Sequence, residues 1–318
     1  MDQRCPKICY QKKEDGLTVT ACYGIDGQIY LPDELGGEPI TAIAPYAFSD
    51  REPEEGDLCW MEEGAEALSG LHRLNMEAVT EIRLPRGVRE IGRYAFYRCR
   101  NLRKLVLSDA LREIGGGALT GCRIREVEIH FANGEQSALP SILDEMRYRI
   151  LARLYYQEGK TAQVLFPEHY EEAVENTPAR ILYTSHHGAG GYYRQCFYNR
   201  ALDYGKYDEL LPRAIAEESE ETVLHLVLGR LRYPYQLSAK AEESYREYLA
   251  GHLKTAARML VEEDMEGLRF FSEKDLWTRP SINAALERAA ELKKTEITAL
   301  LTEEKALKFR AKKKSFEL

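Results

Sequence analysis

The chain has 318 residues, of which 44% are hydrophobic, enough apolar material for a folded core, so the composition excludes an intrinsically disordered chain. A chain of this length predicts about two domains. The net charge of −8 argues against a protein whose main task is to bind nucleic-acid phosphates. The sequence has neither a long apolar stretch nor an apolar leader, so we expect a cytoplasmic protein without a membrane span.

Seven cysteines are an odd number for a secreted domain stabilised by disulfides. We therefore expect seven free thiols in a reducing compartment. Cys5 and Cys9 have no second Cys or His pair nearby at zinc-like spacing, so no metal site is predicted. The cysteines are Cys5, Cys9, Cys22, Cys59, Cys99, Cys122 and Cys196.

A repeat dominates the first 130 residues. Similar segments begin at Val79, Leu102 and Ile124, which are 23 and 22 residues apart. Each contains the L-x-x-L-x-L pattern, and the spacing falls within the range of about 20–29 residues that is typical of leucine-rich repeats. One such unit cannot enclose a core alone, so successive units are expected to stack as rungs of a parallel sheet.

The repeat predicts which side chains form this core. The expected inward residues are Ile82, Leu84, Leu105, Leu107, Val127 and Ile129. Gly92 and Gly115 are expected where the chain turns, and Cys99 and Cys122 are expected to be buried one rung apart.

A degenerate copy precedes these units. Residues 28–32 align with 81–85, and 39–48 align with 87–96. Residues 17–23 are predicted to form a leading edge strand. Residues 51–66 contain seven acids and one base, which predicts a solvated loop or short helix inserted beside the repeats.

The pattern I-x-x-I-x-x-Y-A-F with a following Cys resembles the BspA-like subfamily of leucine-rich repeats. The resemblance covers about residues 16–130 and includes the Tyr94-Ala95-Phe96 sequence with Cys99. It implies a leucine-rich-repeat solenoid and a role in recognising proteins or host surfaces.

The rest of the chain is mixed and then helical. Residues 150–156 and 161–166 predict a β-hairpin, and a 3.6-residue period begins near Tyr207. Similar apolar positions recur 29 residues apart in the last hundred residues, which predicts an ankyrin-like stack of helix pairs. The predicted fold class is α+β, with a leucine-rich repeat domain over 1–131, an α+β connecting segment over 132–206 and a helical domain over 207–318.

The outward residues of the repeat sheet form the candidate binding surface. They alternate in charge between rungs, which fits either a face that binds a partner or a face whose charges pair with one another. Aromatic residues near position 195 are of the kind that anchors protein interfaces. The candidate partner-binding residues are Tyr30, Glu81, Arg83, Lys104, Val106, Glu126, Glu128, Tyr192, Tyr193, Phe197 and Tyr198.

The sequence leaves an enzymatic alternative open. His186, His187 and Cys196 suggest a thiol- or metal-dependent hydrolase, but no acid is spaced to orient either histidine. The glycines between them lack a nucleotide-binding pattern, so no cofactor is predicted. Mixed Arg and Tyr residues over 194–200 and 230–235 are compatible with nucleic acid, which the acidic total disfavours. The favoured function is a non-enzymatic module that binds another protein.

Overall fold

The computed structural model describes residues 5–52, 57–64, 68–176, 181–263 and 265–309. The chain divides into two compact units, Met1–Glu217 and Glu218–Leu318. Residues 207–217, which the sequence analysis assigned to the helical domain, belong to the first unit. The fold is a leucine-rich-repeat solenoid followed by an α+β segment and a helical region, as the sequence predicted.

The strands of the first unit are short, as expected for repeat rungs. Those of the repeat region are β1 (Lys7–Lys13), β2 (Gly16–Gly24), β3 (Gln28–Tyr30), β4 (Glu34–Leu35), β5 (Glu38–Ile43), β6 (Leu58–Met61), β7 (His72–Arg73), β8 (Glu81–Arg83), β9 (Glu90–Ile91), β10 (Lys104–Ser108), β11 (Glu113–Ile114) and β12 (Glu126–His130). The later strands are β13 (Ile150–Tyr155), β14 (Thr161–Phe166), β15 (Tyr170–Asn176), β16 (Ile181–His187), β17 (Phe197–Tyr198) and β18 (Ala201–Leu202).

Two sheets form the walls of the solenoid. The first, here called the rung sheet, has the order β14-β13-β12-β10-β8-β3. Neighbouring strands in this sheet are parallel, except for β13 and β14, which are antiparallel. The second, here called the arm sheet, has the order β11-β9-β5-β2-β1-β6, with β4 beside β5 and β7 beside β2. The antiparallel pair β13–β14 confirms the predicted hairpin and extends the rung sheet.

The repeat alignment is confirmed by the strand register. Ile29 pairs with Ile82, Leu105 with Ile82 and Val127 with Leu105. The degenerate copy is also in the predicted register, because Ile43 pairs with Ile91 in the arm sheet. All six predicted core residues are at most 5% exposed. Burial of such aliphatic side chains contributes about 1.5–3 kcal/mol each to folding.

Gly92 and Gly115 directly precede turns, as predicted, and close packing of the backbone also requires glycine at both positions. A Cβ atom on Gly92 would lie 2.4 Å from the backbone nitrogen of Pro45. A Cβ atom on Gly115 would lie 2.4 Å from the backbone nitrogen of Arg93. Successive arms therefore approach too closely at these positions for any side chain.

Two predictions for the N-terminal part are wrong. The segment predicted as an edge strand is β2, which lies inside the arm sheet between β1 and β5. The acidic insertion was predicted to be a loop or a short helix, but its residues 58–61 form strand β6, which pairs antiparallel with β1. Both differences arise from β1, a strand outside the repeat pattern.

The prediction of seven free thiols is also wrong. Cys9 of β1 and Cys59 of β6 are direct partners across the antiparallel pair and form a disulfide. Cys99 and Cys122 are free and buried, as predicted. Their thiols donate to the carbonyl oxygens of Phe48 and Phe96 at 3.4 and 3.2 Å. Burial raises the pKa of both thiols, that of Cys122 to about 12.

The disulfide yields a direct prediction of the thiol count. Alkylation of the denatured, unreduced protein should add five groups, and alkylation after reduction should add seven. Intact-mass spectrometry measures both. Seven groups without reduction would contradict the Cys9–Cys59 pairing. Because disulfides persist mainly in oxidising compartments, the count on protein from its native cell also tests the predicted cytoplasmic location.

The remaining elements are helices. Those of the first unit are α1 (Leu139–Glu145), α2 (Gly190–Tyr193), α3 (Tyr204–Glu209) and α4 (Leu211–Glu217). Those of the second unit are α5 (Glu220–Arg232), α6 (Ala239–Gly251), α7 (Leu253–Glu263), α8 (Met265–Glu273), α9 (Arg279–Glu291) and α10 (Thr295–Lys308). No helix in the described part of the chain is long and apolar enough to cross a membrane.

Packing of helices on one another builds the second unit. Helix α7 packs on α9, and α9 packs on α10. Ser238 caps α6 by accepting a hydrogen bond from the backbone N–H of Ala241 at 3.2 Å. Lys294, in the turn before α10, donates to the carbonyl oxygens of Val261 and Glu262 at 2.9 and 2.7 Å, which satisfies the end of α7.

Candidate protein-interaction site

The outward side chains of the rung sheet lie in the columns that the sequence predicted. The first column contains Gln28, Glu81, Lys104 and Glu126. The second contains Tyr30, Arg83, Val106 and Glu128. Strand β13 extends both columns, because Leu151 pairs with Glu126 and Arg153 pairs with Glu128.

Charges on this face pair with one another across the strands. Lys104 Nζ lies 2.8 Å from Glu128 Oε1 and 3.9 Å from Glu81 Oε1. Arg153 Nη1 lies 2.9 Å from Glu126 Oε2 and 3.5 Å from Glu128 Oε1. Three acids therefore share two cations along four neighbouring strands.

An aromatic group continues the network toward the first rung. The Tyr30 hydroxyl donates to Glu81 Oε1 at 3.2 Å. The Arg83 guanidinium lies over the Tyr30 ring, 5.2 Å from its centroid. Arg83 is exposed, so it presents a cation and a planar surface at this end of the face.

The two paired cations are held in their charged forms. Partial burial opposes the charge of Lys104, but its hydrogen bond to Glu128 and the charges of Glu128, Glu81 and Glu126 outweigh this and raise its pKa. Burial likewise opposes the charge of Arg153, whose pKa is raised by its hydrogen bond to Glu126 and by Glu126 and Glu128. The network is therefore an internal element of the face rather than a row of independent surface charges.

Two of the predicted binding residues on this face are not available to a partner. Val106 is 2% exposed and Glu128 is 9% exposed, although both occupy outward positions. Glu128 is covered because its carboxylate lies between Lys104 and Arg153. The accessible members of the predicted set are Arg83, which is exposed, and Tyr30, Glu81, Lys104 and Glu126, which are half-buried.

The aromatic segment near Cys196 is only partly exposed. Tyr193 is fully buried and makes an edge contact with Tyr207, with ring centroids 4.7 Å apart, so its predicted surface role is wrong. Phe197 is half-buried and stacks on Phe166 of β14, with centroids 5.8 Å apart. Tyr192 and Tyr198 are 42% and 77% exposed.

Contacts tie this segment to the end of the repeat array rather than to its charged columns. The Arg200 guanidinium donates to the carbonyl oxygens of Arg112 at 2.7 Å and Ser137 at 3.1 Å. The Arg213 guanidinium lies 3.8 Å from the centroid of the Tyr192 ring. The segment is therefore anchored beside β14 and α4, and Tyr198 is its most exposed aromatic group.

The cysteine of the enzymatic alternative is in an environment that suppresses its reactivity. Cys196 is 3% exposed, and its thiol lies 3.5 Å from the Tyr192 carbonyl oxygen. Burial, together with the charge of Asp203, raises the pKa of Cys196 to about 12. A nucleophilic cysteine needs a lowered pKa, so this thiol is unsuited to that role.

The two histidines of the enzymatic alternative lie at the end of β16. His187 is exposed, with its ring 5.5 Å from the Tyr170 ring, and the His186 side chain lies outside the described residues. A nearby cavity of about 530 Å³ is lined by residues that include Arg147, His169 and Arg194. Within the described residues, no group of three His, Cys, Asp or Glu side chains is arranged to hold a metal ion.

Sequence reasoning missed Arg153, which neutralises two acids of the candidate face. The predicted hairpin already contained the signal, because Leu151, Arg153 and Tyr155 alternate with the buried Ala152 and Leu154. The hairpin continues the rung sheet, and its register places Arg153 beside Glu128.

Comparison with known proteins finds similarity in the repeat part of the chain. The family described as BspA type Leucine rich repeat region (6 copies) matches residues 74–139. Among solved structures, a leucine-rich repeat protein of T. pallidum is similar at 18% identity, over 41% of this chain and 72% of that chain, with a TM-score of 0.19. No curated protein matches the chain. Residues 74–139 are thus similar to leucine-rich repeats of the BspA type.

Proposed function

We propose that the protein is a non-enzymatic module that binds another protein through its leucine-rich repeats. The observation that carries this proposal is the rung sheet, whose side chains form unbroken columns across β3, β8, β10 and β12. Repeat proteins recognise partners through continuous surfaces of this kind, because neighbouring rungs present their side chains in parallel.

The accessible chemistry of the face favours a polar contact with an aromatic anchor. The acids Glu81 and Glu126 already pair with Lys104 and Arg153, so they define the shape and polarity of the face more than they supply affinity. Arg83 over Tyr30 is the exposed cation–aromatic pair of the face. Arg and Tyr are among the residues that contribute most to binding energy at protein interfaces.

Site-specific photo-crosslinking tests this proposal. A benzoylphenylalanine placed at Arg83 should capture a discrete protein from a native extract, because that side chain projects from the rung sheet. The matched control places it at Arg112, which is equally exposed but precedes an arm-sheet strand. The same products from both positions, or none from Arg83, would contradict binding at the rung sheet.

We further propose that the second unit is an ankyrin-like stack of helix pairs. Helices α7 and α8 correspond to α9 and α10 at the 29-residue shift, and α7 packs directly on α9. The corresponding positions are buried, as at Leu260 and Ala289, although Leu300 is only half-buried. Repeated helix pairs of this type also serve as protein-binding surfaces.

A further inference from the structure

One segment of the repeat region has a charge opposite to that of the whole protein. Residues 83–125 contain eleven basic and three acidic residues, a net charge of +8 in a chain whose net charge is −8. Ten of the eleven bases are arginines, and all ten are exposed. They are Arg83, Arg86, Arg89, Arg93, Arg98, Arg100, Arg103, Arg112, Arg123 and Arg125.

Five of these arginines lie in two stacked turns that precede neighbouring strands of the rung sheet, and we call this group the arginine ridge. Arg98, Arg100 and Arg103 lie in the turn before β10, and Arg123 and Arg125 lie in the turn before β12. The rungs bring the two turns together. The backbone N–H of Arg125 donates to the carbonyl oxygen of Arg103 at 2.8 Å, and that of Arg98 donates to Thr120 at 2.9 Å.

The ridge is poorly compensated by acids. Within the described residues, Glu77 is the one carboxylate in an ion pair with it, at 3.8 Å from Arg100 Nη1. Both members of that pair are more than half exposed, so the interaction is weak. On the adjoining rung-sheet face, by contrast, three acids surround Lys104 and Arg153.

Side-chain packing orients the ridge without neutralising it. The Arg125 guanidinium lies over the Tyr148 ring, 4.4 Å from its centroid, and that of Arg98 lies 5.1 Å from the Tyr97 centroid. Arg103 donates to the carbonyl oxygens of Arg100 and Leu102. Stacking and carbonyl contacts leave further guanidinium donors and the full positive charge available to an anionic ligand.

We propose that the arginine ridge binds an acidic, Asp- and Glu-rich segment of the partner protein. This inference rests on the proposed function and adds the chemistry of the partner. Guanidinium groups match carboxylates in charge and in paired hydrogen-bond geometry. Neighbouring turns of the solenoid lie about 4.8 Å apart. Alternate side chains of an extended partner segment lie about 7 Å apart, so several of its carboxylates can contact the ridge at the same time.

An acidic protein segment fits the ridge better than a nucleic acid does. The ridge spans only two turns of the solenoid, whereas nucleic-acid affinity accumulates over several phosphate contacts. The net charge of −8 on the whole chain also disfavours a long polyanion. A short acidic segment makes the favourable contacts and avoids that repulsion.

Fluorescence anisotropy on the full chain tests the inference. The probe is a short labelled peptide of alternating Glu and Ser, compared with a Gln and Ser peptide and with a short single-stranded DNA at the same salt concentration. The test variant is Arg103→Gln with Arg125→Gln. The control is Arg89→Gln with Arg112→Gln, which removes the same amount of positive charge. These two arginines are also exposed, and they lie on neighbouring turns because the backbone N–H of Arg112 donates to the carbonyl oxygen of Arg89.

We expect the acidic peptide to bind and the ridge variant to bind it about tenfold more weakly, which corresponds to about 1.4 kcal/mol. The control should stay within about twofold of the unmodified protein, and added salt should weaken the binding. Equal losses in both variants, or no binding of the acidic peptide, would overturn the inference.

Tighter ridge-dependent binding of the DNA would instead assign the ridge to nucleic acid. A failure here is distinguishable from a failure of the proposed function, because crosslinking from Arg83 on the rung sheet is measured separately.

Discussion

Replacing Leu105 with Ala should destabilise the repeat region by about 2–5 kcal/mol. Leu105 is 0% exposed and lies in register between Ile82 and Val127 on the neighbouring strands. Truncation removes buried methyl groups and leaves a cavity between rungs whose backbones are fixed by ladder hydrogen bonds. A loss of this size is a large part of the stability of an ordinary domain.

Hydrogen–deuterium exchange is the appropriate measurement, because the chain has two compact units and a single unfolding midpoint would mix them. Peptides from β8, β10 and β12 should exchange faster in the variant, while peptides from α7 and α9 keep their rates. The matched control is Arg83→Ala, an exposed position on the same sheet, which should change stability by no more than about 0.5 kcal/mol. Unchanged exchange in Leu105→Ala would contradict a core role for this rung.

The rungs could be predicted because the sequence repeats their geometry. Ile82, Leu105 and Val127 occupy the same place in each unit, so aligning the units also gave the strand register that the structure shows. The same alignment also placed the degenerate copy correctly, because Ile29 pairs with Ile82. The local sequence pattern is sufficient to predict the strand register here, because each rung contacts mainly its neighbouring rungs.

The N-terminal strands could not be predicted in this way. Strand β1 pairs with β6, and their Cys9–Cys59 disulfide joins residues 50 positions apart. Neither strand belongs to the repeat, so nothing in the local pattern indicated their pairing. The odd number of cysteines favoured free thiols, but five free thiols and one disulfide satisfy the same count.

The sequence predicted which side chains of the candidate site point outward, but not which of them are exposed to solvent. A period of two residues correctly placed Val106 and Glu128 on the outward side. Whether an outward side chain is accessible depends on its neighbours, and Arg153 reaches Glu128 from a strand that lies beyond the repeat match. The arginine ridge could have been found by counting charge over 83–125, but its adjacent turns are visible only once the rungs stack.

Breaking the Lys104–Glu128 ion pair should have the second largest effect on stability. Glu128 is 9% exposed and lies 2.8 Å from Lys104 Nζ, so Glu128→Gln removes the charge that compensates two cations. We expect a loss of about 1–3 kcal/mol, below the range for a fully buried pair because Lys104 and Arg153 keep Glu81 and Glu126 as neighbours. Reversing the charge of Glu128 would therefore damage the fold, and it is unsuitable as a test of binding.

A double-mutant cycle isolates the pair. Lys104→Met and Glu128→Gln are measured singly and together, and the double variant should lose less stability than the sum of the single variants, because each single change leaves an uncompensated partner. The control cycle uses Lys12 and Glu38, an ion pair whose side chains are about half exposed and whose coupling should not be measurable. Additive losses at Lys104 and Glu128 would show that the network does not stabilise the face.

The pH dependence of the same variants gives an independent check. The acids raise the pKa of Lys104 above its ordinary value of 10.5, so its pairing stabilises the folded state fully below that pH. As the pH rises through the higher pKa of the folded protein, Lys104 loses its proton and this stabilisation disappears. The stability difference between the unmodified protein and Lys104→Met should therefore be constant from neutral pH to about 9 and shrink above 10.5. A difference that persists unchanged in strong alkali would mean that Lys104 acts through the packing of its aliphatic chain rather than through its charge.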